Sequence, residues 1–187
     1  MFLAIGADEK LKFNEDYEVI LSYIKDTDNC IRSIISNKIK EDKLIDGYLL
    51  LKGYYRYSKD IEVMKKLLLV GESIREKDSG FKDILLTDID YCEKHLLKIP
   101  ESFLYKALIL KDNDDYKAAK VAINEYINMG GKVTEEIKGL LDDINNISNY
   151  EAAIEHLKDD PAKTIKMLLD LLRNFDNNPL IYYYLGV

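Results

Sequence analysis

The sequence predicts an all-α chain arranged as an α-solenoid of antiparallel helix pairs, and three observations carry that expectation. One skeleton of residues recurs at the same offsets: Tyr17, Ile20, Leu21, Ile24, Ser33 and Asn37, then Tyr48, Leu51, Lys52, Tyr55, Met64 and Leu68, then Phe103, Lys106, Ala107, Leu110, Ala119 and Ile123. It starts again as Tyr182, Leu185 and Gly186. Apolar residues keep helical spacing along most of the chain, while alternating strand patterns are almost absent. The composition is that of an ordered helical protein, with three Pro and nine Gly in 187 residues and 47% hydrophobic residues. Repeated helix pairs stack because no single pair can bury its own apolar face.

The elements follow in order. Met1 to Ala7 is a short apolar segment, read as a cap on the ends of the first helices. A helix is expected from about 14 to 26, with Asn14 as its cap and Tyr17, Ile20, Leu21 and Ile24 on one face. Asp28 or Asn29 opens a second, with Ile31, Ile34, Ile35 and Ile39, to about 40. The third and fourth span roughly 43–57 and 59–76, divided at Ser58-Lys59-Asp60, where Ser58 or Asp60 can accept from the free amides of the next helix. Ser79-Gly80 breaks the chain before a fifth, roughly 81–98, whose stripe is Leu85, Ile89, Cys92, Leu96 and Ile99. Pro100 opens a sixth, because proline suits a first helical turn. The seventh runs about 114–129 and stops at Gly130-Gly131, a left-handed cap. Thr134 starts the eighth, with Ile137, Leu140, Leu141 and Ile144, and a separate ninth holds Tyr150, Ala153, Ile154 and Leu157. Asp160-Pro161 begins the tenth, with Ile165, Leu168, Leu169 and Leu172. The last begins at Asn178-Pro179. Short connections predict that consecutive helices are neighbours. With no linker or low-complexity run, residues 1–187 read as one domain, long enough to bury roughly 70% of its unfolded surface.

The recurring skeleton resembles the tetratricopeptide repeat (TPR). Tyr48, Leu51 and Tyr55 fit the first helix of such a unit, Asp115-Tyr116-Lys117-Ala118-Ala119 looks like the turn into a second helix, and Asn178-Pro179 through Tyr182, Leu185 and Gly186 is the most specific match. Lys52, Leu21 and Lys106 depart from the pattern, and the units start at uneven intervals, so the array reads as degenerate. The resemblance implies a superhelix with a concave groove that binds a protein or peptide. Counted along it, the groove residues are Leu49, Gly53, Arg56 and Tyr57 in one unit and Leu104, Leu108 and Lys111 in another, joined by Glu101 at the head of the latter. Leucines beside Arg56 and Lys111 suit an amphipathic or extended peptide. The alternative from the residues alone is that other helices close over this face and the leucines are core.

Charge and residue types narrow the function classes. A formal charge of −7, with lysines interspersed among acids, argues against nucleic acid, whose backbone is held by clustered cations. The apolar run at residues 1–7 is too short for a signal peptide or a membrane span. Cys30 and Cys92 make no framework, which points to cytoplasmic thiols. Asp88, Cys92 and His95 could share a helix face, the one grouping with metal-ligand or thiol-base character. Cys92 lies on the apolar stripe, however, and a buried cysteine behaves as a small hydrophobe. Asp112 to Asp115 lacks the glycine and glutamate of a calcium loop. The reading is therefore a non-catalytic scaffold without metal or cofactor, with a regulatory or accessory module of a larger enzyme or sensor as the second function class. The final helix, with Leu180, Ile181, Tyr183 and Tyr184, has no following helix to cover it. The sequence thus predicts an array cut within a repeat, or a homodimer through that edge.

Overall fold

The computed structural model describes residues 1–8, 14–173 and 179–186, which form eleven α-helices and no strand. They are α1 (Phe2–Ala7), α2 (Asn14–Ser22), α3 (Thr27–Lys40), α4 (Leu44–Ser58), α5 (Ile61–Lys77), α6 (Lys82–Lys94), α7 (Pro100–Asp112), α8 (Tyr116–Asn128), α9 (Glu135–Glu155), α10 (Pro161–Leu172) and α11 (Pro179–Leu185). Among the described residues, no helix is long and apolar enough to cross a membrane.

Side chains set several of the starts. Asp60 accepts from the Glu62 amide at 2.9 Å, Asp115 from Ala118 at 3.0 Å, and Asp160 from Lys163 at 3.0 Å with Pro161 in the first turn. Each cap satisfies an amide that has no partner inside the helix. At the end of α8, Gly130 takes a positive φ of 84°, and the Gly131 amide reaches back to the Tyr126 carbonyl at 2.9 Å. This is the left-handed stop expected of Gly130-Gly131. Asn178 lies outside the described residues.

Four boundaries differ from the sequence reading, the first being that α2 ends at Ser22 rather than near 26. The expected eighth and ninth helices are one, α9, because residues 145–149, polar apart from Ile147, contain no Gly or Pro to break the backbone ladder. The fifth expected helix, α6, ends at Lys94 rather than near 98, since Leu96 turns left-handed (φ 53°) and the Leu97 amide closes on the Cys92 carbonyl at 2.9 Å. Residues 2–7 form a helix of their own.

Contacts divide the chain into two units, Met1–Tyr105 and Lys106–Val187. The division falls inside α7, so no linker composition marks it. In the first unit α3 packs on α4, α4 on α5, and α5 on α6, in chain order. Helix α1 departs from that order and packs along α4, so it covers a helix face rather than capping helix ends. The core here includes Tyr48, Leu51, Tyr54, Leu67, Leu68, Leu85 and Ile89, all at most 2% exposed. In the second unit α8 packs on α9, α9 on α10, and α10 on α11. Ala153, Leu168, Leu171 and Ile181 form one buried cluster there, with Tyr150 and Leu185 against it.

That cluster corrects part of the expected dimer edge. Ile181 is wholly buried and serves the core of its own unit, because α11 lays one side on α10. Leu180 and Tyr183 stay exposed at 51% and 75%, and Tyr184 turns its ring toward Tyr150, with centroids 6.3 Å apart.

The continuity of α9 is testable at Asn146. Proline there removes a ladder hydrogen bond and clashes with the preceding turn, so Asn146→Pro should cost about 3 kcal/mol. Urea denaturation followed by circular dichroism would read it. A neutral result would place a loop where the structure has helix.

Candidate functional site

Helix α4 carries both candidate surfaces of the first unit. Its sequence is apolar nearly all round: Gly47, Tyr48, Leu50, Leu51, Gly53, Tyr54 and Tyr55 are buried. A helix of that kind belongs inside its neighbours rather than on them. Tyr48, Lys52, Tyr55 and Lys59 stand at successive turns of one flank, toward α6. Gly53, Tyr57 and Leu49 belong to the flank that α1 covers.

On the α6 flank lies a buried polar cluster. Asp88 of α6 is 5% exposed and accepts from the Tyr48 hydroxyl, and the Lys52 ammonium sits 2.9 Å from its other oxygen. The same ammonium lies 5.9 Å from the centre of the Tyr48 ring. A carboxylate can be buried here because both oxygens meet donors and one donor is a cation. Around this cluster opens a cleft of about 440 Å³. Its floor is Tyr55, Met64 and Leu67, and its walls carry Arg56, Lys59, Asp90 and Lys94. The volume lies within the range of small-ligand and side-chain pockets. The cleft collects four cations, Lys52, Arg56, Lys59 and Lys94, against two carboxylates, Asp88 and Asp90. A second, smaller cleft of about 350 Å³ lies between α3, α4 and α5, beside Arg32, Lys40 and Lys66. There Arg32 is held by Asp60 at 3.0 Å and lies over the Tyr54 ring. The Asp60 carboxyl is held below the ordinary range, by the Glu62 amide first and then by Arg32.

Asp88, Cys92 and His95 have separate environments. Asp88 is taken by Tyr48 and Lys52. Cys92 is fully buried, and burial, with a smaller contribution from the Asp88 charge, pushes its thiol up to about 12. His95 is exposed and stacks on Tyr91 with ring centres 4.1 Å apart. Burial also pushes the Tyr55 hydroxyl far up, with Tyr91 adding to it. Among the described residues no group of three His, Cys, Asp or Glu side chains stands close enough to hold a metal ion.

The groove residues expected from the sequence fall into different settings. Gly53 is buried under α1, Leu49 is half-buried beside it, Arg56 donates to the Ile5 carbonyl at 2.8 Å, and the Tyr57 ring meets Phe2 edge-on at 5.9 Å. Leu104, Leu108, Lys111 and Glu101 are half-buried on α7. Sequence reasoning missed Lys52 as a functional position, noting it only as a departure from the repeat pattern. A lysine inside the apolar run from Tyr48 to Tyr55 was itself the signal, since such a charge needs a buried acid to meet it. Compared with family models, with curated proteins and with solved structures, the chain has no match.

Two outcomes test this geometry. Lys52→Met strands a buried carboxylate and should cost about 3 kcal/mol, the low end for a broken buried pair because Lys52 keeps some solvent contact. Adding Asp88→Asn should return part of that loss, and an unchanged midpoint in Lys52→Met would show the pair to be solvated. The cysteines should separate under alkylation near pH 7. Exposed Cys30 should react, whereas Cys92, kept a thiol by its raised value, should react only on unfolding. Mass spectrometry with and without urea distinguishes one adduct from two.

Proposed function

We propose that the chain is a non-catalytic protein- or peptide-binding scaffold built on TPR-like helix pairs, with the cleft between α4, α5 and α6 as its open binding surface. The observation that carries this reading is the local reversal of charge. A chain of formal charge −7 gathers two more cations than acids around an apolar floor at this cleft, the larger of the two described. Such a surface suits a segment that places an apolar side chain over Met64 and Leu67 and a carboxylate between Lys59 and Lys94. Chain-order packing within each unit supports the repeat reading, as neighbouring pairs would each cover the next. Arg56 is the residue that the cleft shares with the groove expected from the sequence.

The test is selection of peptides from a random library on the full chain, followed by measured affinities. Acidic sequences with a nearby apolar residue are expected. Lys59→Glu with Lys94→Glu should weaken them at least tenfold, about 1.4 kcal/mol. Both positions are exposed, so the melting temperature should stay nearly constant. Selected peptides that bind the charge-reversed chain undiminished would remove the cleft from consideration.

A further inference from the structure

We infer that the Leu49–Gly53 face of α4 is a receiving site for a short helix, that α1 occupies it in cis, and that the partner it fits is a helical peptide carrying an aromatic residue followed four positions later by glycine. This goes beyond the cleft reading, since it concerns the other flank of α4 and is tested at different residues.

The fit begins with two glycines. A Cβ on Gly6 would stand 1.9 Å from the Leu49 carbonyl oxygen, and one on Gly53 would stand 2.1 Å from the Phe2 carbonyl oxygen. Both obstacles are backbone of the opposite helix, which no side-chain rotation can relieve. The two helices therefore meet at a distance that only glycine on each side allows. Phe2 lies four residues before Gly6 and so on the same face of α1. Its ring is edge-on to Tyr54 at 6.0 Å and to Tyr57 at 5.9 Å, the arrangement that aromatic pairs favour. The end of the helix is read as well, because the Arg56 guanidinium donates to the Ile5 carbonyl at 2.8 Å and to the Asp8 carbonyl at 3.3 Å. Carbonyls of a last turn have no partner inside their own helix. An aromatic anchor, a glycine contact and a helix end are thus all recognised within eight residues.

Helix α1 has the character of a bound peptide. Phe2, Ile5 and Gly6 are buried, whereas Leu3, Ala4 and Ala7 on the other side are exposed. Six residues cannot sustain a helix in water alone, so its helicity comes from docking. Segments held by one face open at low cost relative to a core. A peptide with the same pattern competes with a copy tethered to the site, whose effective concentration exceeds that of a dilute free peptide. Binding in trans is weak until α1 is displaced.

The probe is a labelled synthetic peptide with the sequence of residues 1–8, added to the full chain. Gly6→Val in the chain expels α1 without altering α4, and this variant should bind the peptide at least tenfold more tightly than the unaltered chain. Adding Gly53→Val to that variant should abolish the binding, and a peptide carrying Gly6→Val should not bind. In the unaltered chain, excess peptide should speed hydrogen exchange of the α1 amides, a readout that does not depend on any variant folding. The inference is overturned if the Gly6→Val chain keeps its helix content yet gains no affinity, or if the exchange rate is unmoved by saturating peptide. Sedimentation showing a stable dimer formed by mutual exchange of α1 would also overturn it, in favour of a site reserved for a second copy.

Discussion

Helix α4 has almost no side that tolerates water, and covering it is the constraint that organises the first unit. Tyr48, Leu51, Tyr54 and Tyr55 are at most 7% exposed, so consecutive turns need partners in different directions. Helices α3 and α5, its neighbours in sequence, can cover only part of that circumference. The remainder is taken by α1 on one flank and, through Tyr48, Lys52 and Tyr55, by residues of α6 on another. Chain order alone would have left one flank bare, which is why a six-residue helix that could not persist alone is ordered there.

The two flanks solve the burial problem by opposite means. Toward α1 the solution is absence of side chain: Gly6 and Gly53 let backbones touch, and the contact energy comes from Phe2 against two tyrosines. Toward α6 the solution is a polar pair, with Asp88 held by a hydroxyl and an ammonium in place of simple apolar packing. A buried pair of this kind adds little net stability over a hydrophobic equivalent, since desolvation offsets most of the attraction. Its consequence is geometric. It leaves the top of the α4–α6 seam polar, and the cleft opens there.

Much of the fold was legible because local chemistry decided it. Asp60, Asp115, Thr134 and Asp160 are caps that any reader of the sequence can place, and of the expected stripes Leu85, Ile89, Cys92, Ile99 and Leu168 are buried, whereas Leu96, Ile165 and Leu169 face solvent and Leu171 takes the buried place on α10. What was not legible depends on distant pairs. Nothing near Lys52 in sequence announces Asp88, and nothing near Gly53 announces Gly6. No break follows Ile144, since asparagines and serine weaken a helix only modestly and neighbouring packing overrides that preference. For the site, counting along a repeat pattern grouped Leu49, Gly53, Arg56 and Tyr57 on one helix, yet could not see that α1 of the same chain packs against them.

Arg56 is where the two surfaces meet chemically. Its guanidinium donates to carbonyls at the end of α1, and its side chain also borders the cleft on the α6 side. A guanidinium carries five donors in a fixed fork, so serving a carbonyl on one side does not exhaust it. A neutral carbonyl is, however, a weaker acceptor for it than a carboxylate, which a guanidinium can grip through two parallel bonds. Replacing Arg56 therefore disturbs the hold on α1 and the charge of the cleft together, and a loss of binding in such a variant would not say which surface was used. Lys59 and Lys94 touch only the cleft, and Gly6 touches only the α1 contact. The separate roles of the two flanks are resolved at those positions rather than at the arginine they share.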